Sequence, residues 1–402
     1  MTKALKDHVE VKRNLMGLFF SYGIGYNYFN LLLPAMAVIF SYSHHTVKMV
    51  FLLYYCVVMC LQVFPSILVY KLGFRLSMIL YCAIFCLGSL IGYLSEGQIE
   101  WVIVARVLQA IGLSVLLFFT KVLTYQLSAS SMRQMVFFRV LISNFSGPGF
   151  VAVLGILLHW YSWKLGFVLS GAIFFIMLSW MMFFSREIVI TGLIDPFSQL
   201  KKTVVLFGNK QLMLFLGSVL LVVCLSGFIG VVYAYILHIE YHMDITYVGL
   251  FPVVLAVVSS LAAVVMRLVQ RVQSDQLSQK VIRYSIVGNA ITALFFLLAN
   301  IESIQHWWVF YLASISWTFF ITLAYMGLTN YLGVLVKQLS NNMEYNILYY
   351  CLRGVIPLLM ILVWSHYERS DFIVPTLILV CSIMSFILIR LIAWDRILGD
   401  KR

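Results

Sequence analysis

The sequence predicts an all-α membrane protein of twelve transmembrane helices in two six-helix halves, with both termini on the cytoplasmic side. Three observations carry this. First, the 402 residues are 63% apolar and only 10% charged, with a mean hydropathy of +0.99, whereas soluble chains carry about 25% charged residues. Second, polar breaks divide the chain into twelve apolar runs, each near the about 20 residues that a helix needs to cross a bilayer core about 30 Å thick. Third, the basic residues alternate between sides as the positive-inside rule requires.

The elements follow in order. Residues 1–14, MTKALKDHVEVKRN, are polar and lead into an apolar run with no small-residue cleavage site after it, so that run reads as a retained span and not a signal peptide. The spans fall at about 15–40, 49–70, 76–94, 101–126, 134–157, 163–184, 211–238, 245–266, 281–300, 306–335, 342–366 and 372–393. The longest connection, 185–210, reads as a cytoplasmic linker between an N-terminal bundle, 1–184, and a C-terminal bundle, 211–402. A six-plus-six plan with a middle linker suits a secondary transporter whose substrate site lies near the midplane between halves. Of the 27 Lys and Arg, only Lys48, Lys164 and Arg369 fall outside and Arg106, Lys121, Arg139 and Arg353 fall within spans. The other 20 lie in the tails, in the even-numbered, cytoplasmic loops or, as Arg283 and Arg390, in the span turn next to them.

That distribution also accounts for the net charge of +12, which orients the chain in a lipid bilayer and gives no reason to invoke a nucleic-acid partner. All seven cysteines (Cys56, Cys60, Cys82, Cys86, Cys224, Cys351, Cys381) sit in apolar runs without His or carboxylate neighbours, and read as small buried hydrophobes. There is no nucleophile–base set, phosphate-cradling glycine loop or metal-ligand spacing. The expectation is a non-enzymatic, monomeric, multi-pass protein of the inner (plasma) membrane, without cofactor or metal, whose partners are lipid and a small-molecule substrate.

Several motifs then point to a family. Asn30-Leu-Leu-Leu-Pro34-Ala-Met lies in the first span. Gln62 precedes Ser66-Ile-Leu-Val-Tyr70-Lys71-Leu-Gly73-Phe-Arg75 at the second, and Arg106-Val-Leu-Gln109-Ala-Ile-Gly112 lies in the fourth. Gly147-Pro148 lies in the fifth, and Trp163-Lys164-x-x-Phe167 opens the sixth. In this order and on these sides of the membrane they resemble the major facilitator superfamily, and within it the drug:proton antiporters of the Bcr/CflA type. The resemblance implies the major facilitator fold, a conformational role for Lys71, Gly73 and Arg75, and a cavity-facing, coupling role for Arg106. The departures concentrate on acids: Asn30, Tyr70 and Gln126 stand where the family keeps or often has Asp, and the family's Gly-Gly after Gly-Pro becomes Val151-Ala152.

An ionisable side chain at mid-bilayer costs at least about 2.5–3.5 kcal/mol, so it snorkels, pairs or lines a wet cavity. Lys121 and Arg139 lie near enough to a cytoplasmic helix end to snorkel. Arg106 shares a helix face with Gln109 and Thr120 at helical spacing. Arg353 lies too deep to snorkel and ends a polar, aromatic stripe of Asn346, Tyr349 and Tyr350. Glu344 is the one carboxylate placed within a span and so the candidate for proton coupling. Tyr26 and Asn30 lead the polar face of the first span, ahead of Tyr22 and Asn27. Pro34, Pro148, Pro252 and Pro357 free backbone carbonyls inside spans, and Gly147, Pro148 and Pro357 are candidate hinges.

Interior cations without interior acids favour an anionic cargo, with Arg106 and Arg353 as a carboxylate- or phosphate-binding clamp. The leading reading is therefore an exporter of an organic anion, such as a polycarboxylate metabolite or siderophore. The family resemblance implies a second, proton-coupled multidrug efflux with Glu344 or a histidine replacing the missing Asp. A third is a non-transporting sensor on a transporter fold.

Overall fold

The computed structural model describes residues 3–61, 64–126, 129–185, 188, 196–205, 208–271, 275–301, 307–338, 359–366 and 370–392. In hydrocarbon every backbone N–H and C=O must be satisfied within its own segment, which leaves long apolar runs no alternative to helix. The first half contains α1 Lys3–Phe40, α2 His44–Leu61, α3 Phe64–Leu94, α4 Ile99–Gln126, α5 Ala129–Trp160 and α6 Lys164–Phe183. A short α7, Pro196–Val205, lies in the connection. The second half contains α8 Lys210–Tyr235, prolonged by a π-helical turn Ile236–Glu240, then α9 Ile245–Arg271, α10 Asp275–Ile301, α11 Trp307–Gln338, α12 (359–365) and α13 Ser370–Leu391.

Among the described residues nine helical segments are long and apolar enough to cross a membrane. They answer to nine of the twelve expected spans. Of the other three, the run at 49–70 is divided between α2 and the start of α3. The run at 211–238 gives a shorter apolar stretch, Lys210–Val222. Most of 342–366 lies outside the described residues, and with it Glu344, Asn346, Tyr349, Tyr350, Arg353 and Pro357.

The break expected between the second and third spans falls inside α3, which is interrupted at Gly73 with φ 79° and ψ 171°. A side chain at this positive φ would meet the following carbonyl, which is why glycine serves here. Two residues on, Arg75 donates from Nε to the Met181 carbonyl at 2.9 Å and from Nη2 to that of Met182. It thereby caps carbonyls that the end of α6 leaves without helical partners. Asn14 of α1 ties the same end down, accepting from Trp180 Nε1 at 3.1 Å and donating to Ser185 Oγ at 3.3 Å.

Packing follows the two groups of helices. In the first, α1 lies against α4, α5 and α6, and α3 against α4 and α6; in the second, α10 lies against α11 and α13, and α8 against both of these. The halves meet chiefly through α5 and α9, and through α1 and α8. The α5–α9 crossing is close because it is made of two glycines. A Cβ added at Gly155 would stand 3.0 Å from Gly249 Cα, and one added at Gly249 would stand 3.0 Å from Gly155 Cα. Toward one end of this seam His159 Nδ1 lies 3.2 Å from Asp244 Oδ2; toward the other, the Arg267 guanidinium sits 4.4 Å above the Phe137 ring.

Two expectations from the sequence need correcting. Lys48, counted there as an outer loop charge, is buried in the first turns of α2, at 2% exposure. Nor are the cysteines uniformly buried: Cys82 and Cys381 are, Cys56 and Cys86 are half-buried, and Cys60 is exposed.

Candidate functional site

Arg106 stands on α4 seven residues from its start, about 10 Å along the helix at 1.5 Å per residue. It is buried, with its guanidinium carbon 4.3 Å from the Phe29 ring centre on α1 and 4.2 Å from that of Tyr54 on α2. Rings stacked on a guanidinium attract it through their negative faces, by about 2 kcal/mol when water is excluded. With both rings this close, its chemistry toward a ligand is that of its N–H donors, which match carboxylate and phosphate oxygens.

The aromatic wall continues from Tyr54 to Tyr26, at 6.4 Å between centres, and from Tyr26 to Tyr22, at 5.6 Å. Tyr26 is half-buried, whereas Asn30, one turn further along α1, is 2% exposed. The structure thus brings Tyr26 and Arg106 together through Tyr54. Neither Tyr54 nor Phe29 is among the residues singled out from the sequence, since an aromatic side chain inside an apolar helix gives no periodic signal there.

Gln109 lies about one turn deeper on α4 and is engaged within the first half. Its Oε1 accepts from the Tyr28 hydroxyl at 2.5 Å and its Nε2 donates to Ser89 Oγ at 3.0 Å, joining α1, α3 and α4. Thr120 is buried further along, and its carbonyl accepts from the Thr124 hydroxyl at 2.5 Å. Lys71 is exposed, while Gly73 and Arg75 form the break and cap at the end of α6 described above. Of the hinge candidates, Gly147 lets α5 close on α1: a Cβ there would stand 2.5 Å from the Gly23 carbonyl oxygen. Pro148 follows it inside the helix.

On the second half a matching aromatic series runs from Tyr233 to Phe251 at 5.6 Å, to Tyr311 at 4.6 Å and on to Trp307 at 6.2 Å. Ser259 and Thr322 share a buried hydrogen bond of 2.9 Å between α9 and α11. No group of three or more His, Cys, Asp or Glu side chains that could hold a metal ion occurs among the described residues.

A family model described as Major Facilitator Superfamily matches residues 15–356. The chain belongs to the major facilitator superfamily. As a member it is a multi-pass membrane protein of a family of carriers. A sequence search of curated proteins finds no match. Solved structures agree in fold over nearly the whole chain. The xylose transporter XylE from E. coli, in a partially occluded inward-open conformation, has a TM-score of 0.70 at 9% identity, over 93% of this chain and 96% of its own. The transporter FucP, in an outward conformation, gives 0.65 at 15% identity over 96% and 99%. The human organic anion transporter MFSD10 (TETRAN) gives 0.64 at 10% identity over 94% and 99%. At these identities the likeness is one of fold, so this major facilitator protein's cargo must be argued from its own side chains.

Proposed function

We propose that the protein is a secondary transporter of the inner (plasma) membrane that exports a small organic anion by alternating access between its two six-helix bundles. One observation carries the reading: Arg106 is held as a buried guanidinium between Phe29 and Tyr54, in a first half whose sequence has no Asp or Glu from residue 11 to residue 95. A carboxylate near that guanidinium would favour a cationic cargo or a proton relay. A guanidinium flanked by rings favours a carboxylate or phosphate. Tyr26 and Asn30 complete the first half's share of the site, and Gln109 positions α4 beneath it. Arg353, with Asn346, Tyr349 and Tyr350, forms the second half's share, and Glu344 is its proton-coupling group. The Bcr/CflA-type resemblance motivates the export direction.

Mass spectrometry of medium and cytosol, in negative and positive mode, from cells with and without the protein tests cargo charge and direction together. The expected outcome is an anion that builds up in the cytosol, and falls in the medium, of cells lacking the protein. Arg106→Gln, shown to be folded and inserted, should reproduce that phenotype, with export reduced at least tenfold. A cationic compound as the sole difference, or wild-type export by Arg106→Gln, would refute the reading.

A further inference from the structure

The contacts of Lys48 cross between the halves. Its Nζ donates to the Trp364 carbonyl at 3.3 Å and stands 4.8 Å from the Trp364 ring and 5.4 Å from the Tyr235 ring. The two rings meet edge to face at 5.0 Å and both are almost wholly buried. One turn before Lys48, His44 Nδ1 lies 2.6 Å from the Tyr235 hydroxyl. The cation and the histidine therefore come from α2 of the first half, and the aromatic box from α8 and α12 of the second. Both sets lie at the end of the bundle that carries the α1–α2 turn. Trp364 is also next to last in α12, where the helix dipole gives the terminal carbonyls partial negative charge and favours an ammonium group.

We propose that Lys48, Tyr235 and Trp364, with His44 at the rim, form a cation–aromatic latch that closes the halves at the α1–α2-turn end and opens once in each transport cycle. The opening step rests on the transporter reading above; the latch itself does not depend on the charge of the cargo. Its chemistry suits a reversible closure. Closed, the ammonium gains the ring faces and the carbonyl, an attraction strengthened by the exclusion of water. Opened, it recovers the hydration that burial removed, which offsets part of that loss. A hydrophobic plug of the same size would have no such return on opening.

Electron–electron distance measurements test this on the full-length protein, with the seven native cysteines replaced by Ser and spin labels at the exposed positions His45 on α2 and Tyr247 on α9. The otherwise wild-type protein should show a dominant short-distance population. Lys48→Met, which keeps the stem and removes the charge, should raise the ratio of long to short distances about tenfold. Lys48→Arg, which keeps a cation over the rings, should leave the short population dominant. If Lys48→Met leaves the wild-type distribution in place, the latch is refuted. Should that variant not fold, Trp364→Leu and Tyr235→Leu carry the same expectation, and wild-type distances in both would refute it equally. Arg106→Gln separates the two proposals, because it should abolish anion export without moving the distance distribution.

Discussion

At the scale of single residues, the first half is organised around two polar side chains on α4 with different surroundings. Arg106 is bounded by the rings of Phe29 and Tyr54, while Gln109 spends both ends of its amide on Tyr28 and Ser89. Interhelical hydrogen bonds inside membranes contribute about 0.6 kcal/mol on average and up to about 1.7. Tyr28 and Gln109 are fully buried, so the Tyr28–Gln109 bond should fall in the upper part of that range. Tyr28→Phe is expected to destabilise the protein by about 1 kcal/mol in detergent unfolding. Gln109→Leu should cost more, because it leaves both the Tyr28 hydroxyl and Ser89 without this partner. A Tyr28→Phe/Gln109→Leu double variant should lose less than the two single losses added, since both report on one shared bond. Strict additivity would mean that the contact does not contribute as drawn.

At the scale of elements, α5 is the helix on which the two halves depend most, since it packs on α1 through Gly147 and on α9 through Gly155. Gly155→Leu should force the α5–α9 backbones apart, with a loss of about 1–3 kcal/mol in thermal unfolding and a matching fall in transport. Gly149→Leu is the control on the same helix, because a Cβ there meets nothing within 4 Å, and it should be close to neutral. Equal effects of the two would show that the crossing is not held by the glycines. The helices themselves were legible because hydrocarbon leaves a long apolar run no other structure, and Arg106 was legible because a charge inside such a run stands out. The α5–α9 crossing was not, because Gly155 and Gly249 belong to different halves and nothing local to either marks the other. Gly73 was expected in a loop, yet it forms a one-residue break in an otherwise continuous helical run. Side counting placed Lys48 in the loop after the first span but did not give its depth, because depth there depends on Tyr235 and Trp364 in the other half. For the same reason Tyr54 and Phe29 became visible as neighbours of Arg106 only once α1, α2 and α4 were packed together.

At the scale of the whole molecule, the contacts that join the halves differ from one end to the other. The end with the α1–α2 turn carries the Lys48 latch and the His159–Asp244 pair; the other end of the α5–α9 seam carries Arg267 over Phe137. Asp244 gives this asymmetry a pH dependence. Partial burial pushes its carboxyl up, but the Thr246 N–H at 2.8 Å, the Thr246 hydroxyl and the His159 ring outweigh burial and hold it below its ordinary value of 3.8. A carboxyl depressed in the folded state contributes stability in full above its ordinary value and loses it as pH falls through the depressed one. Both side chains of the pair are about two-fifths exposed, so screening by water keeps the contribution small. The sign can still be read by subtraction. The melting temperature of the wild type should exceed that of Asp244→Asn at about pH 5, and the difference should shrink as pH falls below 3.8. A difference that persists undiminished into acid would show that the role of Asp244 does not lie in its charge. In that case the ionic contact with His159 would contribute little, and closure at this end would fall to the Lys48 contacts and the glycine crossing.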